Sequence, residues 1–119
     1  MKVAQQQLAL DLVKQENTAV VAQVLSTRRG RANGISVKLL AQLSGVHERG
    51  VRTAVSELRE QGLAVCSHPS AGYWIAANTD ELEETCKFLR SRALHSLLLE
   101  ARLRNVALPD LLGQLRLNT

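Results

Sequence analysis

Residues 35–77 read ISVKLLAQLSGVHERGVRTAVSELREQGLAVCSHPSAGYWIAA, and this stretch decides the fold. Its first helical pattern, Ser36–Leu43, takes Ser36 as amino-terminal cap and turns Leu39, Leu40 and Leu43 inward. Ser44-Gly45 breaks that pattern, and Val46 anchors the turn to the core. A second pattern runs from His47 to Gln61. Val51, Val55 and Leu58 recur there at i, i+4 and i+7, which leaves Arg49, Arg52, Thr53, Ser56 and Arg59 outward. Gly62 stops it. Two short β-like runs follow, Leu63–Cys66 and Tyr73–Ala76, joined by a loop Ser67–Gly72 that contains Pro69. Their alternation puts Leu63, Val65, Tyr73 and Ile75 on one face and sends Trp74 to the other.

Helix, tight turn, helix and hairpin is the order of a winged helix-turn-helix. The expected fold class is therefore mainly α, a three-helix core plus a β-hairpin wing, with a long C-terminal helix. Working outward, Asn17 or Thr18 caps a first helix with Val20, Val21, Val24 and Leu25 on its apolar face. Arg28 and Arg29 close that helix, and Gly30–Gly34 forms a loop. Residues 1–16 read as a flexible N-terminal tail, residues 17–78 as the winged helix-turn-helix domain, 79–108 as the long helix and 109–119 as an apolar segment beyond Pro109.

Asn78 or Thr79 caps the long helix, and Asp80, Glu81, Glu83 and Glu84 load its first turns with acid. Leu82, Cys86, Leu89, Ala93 and Leu97 form its stripe. Its second half carries more leucine than one face needs. A homodimer through this C-terminal helix would cover the surplus; so would Val3–Val13 or Leu111–Leu117 of the same chain.

A length of 119 residues sets the expectation of one domain. Aromatics are only 3% of the chain, so leucine, valine and alanine must build the core. The net charge of +4 suits a polyanionic partner and is unevenly placed. Between Arg28 and Arg59 stand seven bases against Glu48 and Glu57, which more than accounts for the whole excess. Cys66 and Cys86 match no zinc spacing and read as reduced thiols. No apolar run approaches the roughly 20 residues that span a bilayer, and the N-terminal stretch lacks a signal-peptide core. The expectation is a cytoplasmic protein with no membrane partner.

In a helix-turn-helix the amino-terminal half of the second helix meets base edges. That places His47, Glu48, Arg49, Arg52, Thr53 and Ser56 near the groove of double-stranded DNA. Arginine can bond guanine O6 and N7 together, worth roughly 1–3 kcal/mol of base discrimination. Lys38 and the Arg28, Arg29, Arg31 cluster suit phosphates, and Ser67, His68 and Ser70 near the hairpin tip suit the minor groove or a phosphate. The alternative is a solvated basic surface on a protein-interaction module.

The helix VRTAVSELREQG, followed by GYWIA in the second strand, resembles the winged-helix proteins common in phages and prophages. The DELEE and FLRSR stretches extend the resemblance, which covers about Ile35 to Leu94. It implies DNA binding in a phage or bacterial setting, serving replication or transcription. The chain departs from that group at His47, where a small polar capping residue is usual, and at Gly50, where threonine is usual.

Gln7-Leu8-Ala9-Leu10-Asp11-Leu12 is similar to the Q-L-x-L-x-L peptides with which bacterial replication and repair proteins dock on the sliding clamp. The resemblance implies an extended segment, with Gln7 in a polar slot and Leu8, Leu10 and Leu12 at an apolar surface. The alternative is an amphipathic helix packed on the core. A clamp, or another replication protein such as a helicase, is thus the expected partner for residues 7–12 if the chain acts as an adaptor.

Enzyme readings fail on inventory. His47, His68 and His95 make no metal-binding pair, and Gly30-x-x-x-Gly34 lacks the Lys-Ser/Thr of a phosphate loop. Cys66 and His68 sit in a hairpin with no sheltered pocket. No catalytic residue, metal or cofactor is expected.

Overall fold

The computed structural model describes residues 2–117. Met1 of the expected tail, and Asn118 and Thr119 of the expected apolar segment, lie outside the described residues. The chain is mainly helical with one two-stranded antiparallel hairpin: α1 (Lys2–Leu25), a 3-10 turn (Arg31–Asn33), α2 (Val37–Ser44), α3 (Glu48–Glu60), β1 (Val65–His68), β2 (Gly72–Ile75), α4 (Thr79–Arg104) and α5 (Leu108–Leu117). It divides into two compact units, Met1–Glu83 and Glu84–Thr119.

The first unit is built on α1, α2 and α3. Val21, Leu25, Ile35, Leu40, Val51 and Val55 are all but inaccessible and form one cluster with Ala54, Leu58 and Val65. Ser36 caps α2 as its sequence implies, its Oγ accepting from the Leu39 amide. Gly45 ends α2 at φ 72°, a left-handed conformation that glycine adopts without penalty. Gly62 does the same for α3, where the Gly62 and Leu63 amides bond back to the Arg59 and Leu58 carbonyls.

The expected tail is instead helix. α1 begins at Lys2 and runs unbroken through Asn17 and Thr18, which cap nothing. Thr18 is buried, and its hydroxyl donates to the Lys14 carbonyl one turn earlier. Residues 2–16 are rich in alanine, glutamine and leucine, all good helix formers, so they continue the helix that the core nucleates. The Gln7 amide donates to Asp11, and Lys14 pairs with Glu57 of α3 at 2.7 Å. That bond to Glu57 raises the Lys14 pKa above its ordinary value. Arg28 and Arg29 lie beyond the helix; Ser26 and Thr27 hydroxyls take its last carbonyls instead.

The hairpin is shifted from its expected place. Leu63 is spent closing α3, so β1 starts at Val65 and extends through Ser67 and His68. Val65 pairs with Ile75, Cys66 with Trp74, Ser67 with Tyr73 and His68 with Gly72. The turn is His68–Ala71 with Pro69 at its second position. The outer edge of β2 is covered by the loop that follows α1: Gly30 and Ile35 amides donate to Ile75 and Tyr73 carbonyls, and Ile75 and Tyr73 amides to Arg28 and Ile35 carbonyls. Gly72, at φ 75°, has no room for a Cβ because the Ile35 carbonyl lies against it.

Both faces of the hairpin are used. Val65, Tyr73 and Ile75 pack on the helical cluster. Trp74, on the other face, is 2% exposed and its indole N–H donates to Glu81 in the first turn of α4. Asn78 is the cap, its Oδ1 accepting from the Glu81 amide.

In the second unit α4 ends at Arg104, short of the expected residue 108. Asn105 adopts φ 57°, and the Asn105 and Val106 amides bond back to Arg102 and Ala101 carbonyls. Pro109 does not separate the last segment; it lies in the first turn of α5, where a missing amide costs nothing. Ala101 and Leu111 are buried. The expected stripe stays largely open, with Leu82, Cys86, Leu89 and Ala93 exposed and Leu97 half-buried.

Candidate nucleic-acid interface

α3 divides cleanly around its axis. Gly50, Val51, Ala54, Val55 and Leu58 are buried, while Glu48, Arg49, Arg52, Thr53, Ser56 and Glu60 are exposed. Among the described residues, neither Arg49 nor Arg52 makes a side-chain hydrogen bond or ion pair, and the same is true of Lys38 on the exposed side of α2. Thr53 donates its hydroxyl to the Arg49 carbonyl, leaving the oxygen open as an acceptor. Glu48 sits in the first turn, where the helix dipole favours it.

The two departures at the start of α3 are joined by one hydrogen bond. His47 is the cap, its Nδ1 accepting from the Gly50 amide at 3.0 Å, the task usually left to a serine, threonine or aspartate. The imidazole then lies over residue 50. A Cβ there would come within 2.7 Å of Val46 Cγ1 and 3.2 Å of His47 Cε1, so residue 50 is crowded chiefly by Val46 and more lightly by the ring.

Of the remaining candidates, Arg31 and Ser67 are engaged in the fold. Arg31 donates its backbone N–H to Glu81 at 3.0 Å and its Nη2 to Ser70 at 3.3 Å, and its guanidinium lies 5.9 Å from the Trp74 ring centre. Ser67 is not at the hairpin tip but in β1, half-buried, and accepts from Arg59 Nη2. His68 also belongs to β1, with Nδ1 accepting from the Ser70 amide. Only Pro69, Ser70 and Ala71 form the tip. Arg28 is half-buried and Arg29 exposed, on the loop that borders β2.

Glu81 was not singled out by its sequence position, yet it organises this end of the unit. One oxygen accepts from the Ala77 amide and the Trp74 indole, the other from the Arg31 amide. The Ala77 and Arg31 amides hold its carboxyl below the usual glutamate value, with Trp74 and the Arg31 charge adding to them. The N-x-x-E spacing from Asn78 is a helix-start signature, but it does not foretell the reach to Trp74 and Arg31.

Gln7, Leu8, Leu10 and Leu12 stand on α1, not on an extended strand. Leu8 and Leu12 share one face; Leu10 lies on another and, with Val13 and Asn17, borders a shallow trough against His47, Arg49 and Thr53 of α3. The Gln7 amide is occupied by Asp11. Docking on a clamp as an extended peptide would require this part of α1 to unwind.

Among the described residues, no group of three histidine, cysteine, aspartate or glutamate side chains converges on a metal position. Likewise no described helix is long and apolar enough to cross a membrane. No protein-family model matches the chain, and neither a curated protein nor a solved structure shows significant similarity to it.

Proposed function

We propose that the first unit is a winged helix-turn-helix that binds double-stranded DNA, with α3 as the reading helix and the β1–β2 hairpin as the wing. The reading implies a phage or bacterial replication or transcription factor that carries out no chemistry. One observation carries it: α3 is capped and buried along one side, and its opposite side presents Arg49, Arg52, Thr53 and Ser56 with neither arginine engaged elsewhere among the described residues. Lys38 and Arg29, exposed on α2 and the loop before it, supply phosphate contacts that fix register. Arg31, Arg59 and Ser67 hold the wing in place and make no base contact.

Titration of random-sequence duplex at two salt concentrations tests this. Phosphate neutralisation releases counterions, so affinity must fall steeply as salt rises. Arg49→Ala with Arg52→Ala should weaken binding by roughly 10- to 100-fold, a total of about 1.4–2.7 kcal/mol for the pair. No binding at low salt, or binding that ignores salt, refutes the reading. A second reading, a protein-interaction adaptor, draws on the leucines left open along α4, where Leu98, Leu99 and Leu103 are exposed. It predicts an unchanged partner affinity in the Arg49→Ala, Arg52→Ala chain.

A further inference from the structure

α1 carries a second apolar stripe that the core does not use. Val3, Gln6, Leu10, Val13, Asn17 and Val20 recur at alternating spacings of three and four, the repeat of a two-helix seam. The core takes Thr18, Val21 and Leu25; Val3 and Leu10 point to much the same side as Val21 but stand beyond the folded body, and Val13, Asn17 and Val20 lie to one side of it. Exposure along the stripe falls steadily toward the folded body: Val3 78%, Leu10 64%, Val13 53%, Val20 37%.

We propose that this stripe pairs with the same stripe of a second copy of the chain, antiparallel, with Leu10 of each copy against Val13 of the other. In that register Val3 meets Val20 and Gln6 meets Asn17. Every aliphatic position faces an aliphatic one, and the two amides face each other. Self-complementarity of this kind is what a two-fold interface requires, because each contact occurs twice. The flanks agree. Lys14 comes opposite Gln7 and Glu16 opposite Ala9, so no like charges meet.

A parallel pair would also match like with like. It would, however, bring together the carboxyl-terminal thirds of two α1 helices, the part buried in each folded body. The antiparallel pair sets each body beside the open amino-terminal half of its neighbour, and the exposure gradient runs the way this needs. The neighbour's helix would lie along the trough that Leu10, Val13 and Asn17 form with Arg49 and Thr53 of α3. A helix in that trough would cover Arg49 and Thr53, so the pairing competes with the DNA contact proposed for α3 and is tested in the absence of DNA.

Sedimentation of the full chain over a range of concentrations should give a dimer mass at the upper end. Leu10→Asp with Val13→Asp should leave a monomer with unchanged helical circular dichroism, since both side chains are exposed in the single chain. Orientation is read by disulfide trapping in a Cys86→Ser background, where only the buried Cys66 remains. A Gln6→Cys chain mixed with an Asn17→Cys chain should cross-link, and neither should do so alone. A wild-type monomer at every concentration overturns the proposal. So does a dimer that survives Leu10→Asp, Val13→Asp, or an Asn17→Cys chain that cross-links to itself.

Discussion

At the carboxyl-terminal end of α3, Arg59 is held by the Val65 carbonyl at 2.8 Å and the Ser67 hydroxyl at 3.0 Å. Two to three turns earlier on the same helix, Arg52 and Arg49 have no such partners among the described residues. By composition these arginines are equivalent. By structure, Arg59 and Arg31 are ties between helix, loop and hairpin, whereas Arg49 and Arg52 can meet a partner without dismantling anything. A concentration of positive charge therefore overstates a binding surface by the number of cations the fold itself employs.

The tied end should fail first. Trp74 is buried between the hairpin and the first turn of α4, so Trp74→Ala should lower unfolding free energy by about 3–5 kcal/mol in denaturant titration. A loss below about 1 kcal/mol would mean that this contact is not a fixed part of the fold. Arg59→Ala should cost about 1–2 kcal/mol through two lost charge-assisted bonds, while Arg52→Ala stays within about 0.5 kcal/mol. Equal effects of the two on stability would mean that Arg59 ties the hairpin no more than Arg52 does.

Between those extremes lies the cap. His47→Ala should destabilise by about 1 kcal/mol and His47→Asp should restore most of it, because aspartate offers an oxygen to the same amide. A modest effect at neutral pH belongs to Glu81→Gln, since an amide oxygen can keep the Ala77 and Trp74 bonds and loses only Arg31. Its signature is acidity. The Glu81 pKa is lowered on folding, so its contribution is complete above the ordinary value of 4.5 and fades as pH falls through the lowered one. Denaturation midpoints of the wild type should drop in that window, and the Glu81→Gln chain should drop less.

The parts legible in the sequence are those whose signals are local. Ser36, Gly45 and Gly62 mark the ends of α2 and α3, and the i, i+4, i+7 spacing of Val51, Val55 and Leu58 correctly turned Arg49 and Arg52 outward. The first half of α1 is hard to read because residues 3–16 are exposed and carry leucine and valine on more than one face, so no single buried side marks the helix. The contact between Ser67 and Arg59 is illegible for the opposite reason. Their roles are set by partners eight residues apart across a chain reversal, which no helical or strand period records. Trp74 and Glu81 meet across the hairpin-to-α4 junction, and only the folded backbone brings them to 3.1 Å.

The way His47 closes α3 also determines what that ring offers to its surroundings. A nitrogen that accepts the Gly50 amide cannot itself bear hydrogen, so the neutral imidazole must be the Nε2–H tautomer. Whatever approaches the mouth of α3 at this residue meets a hydrogen-bond donor. A donor at this place suits an oxygen or ring-nitrogen acceptor and repels an amine.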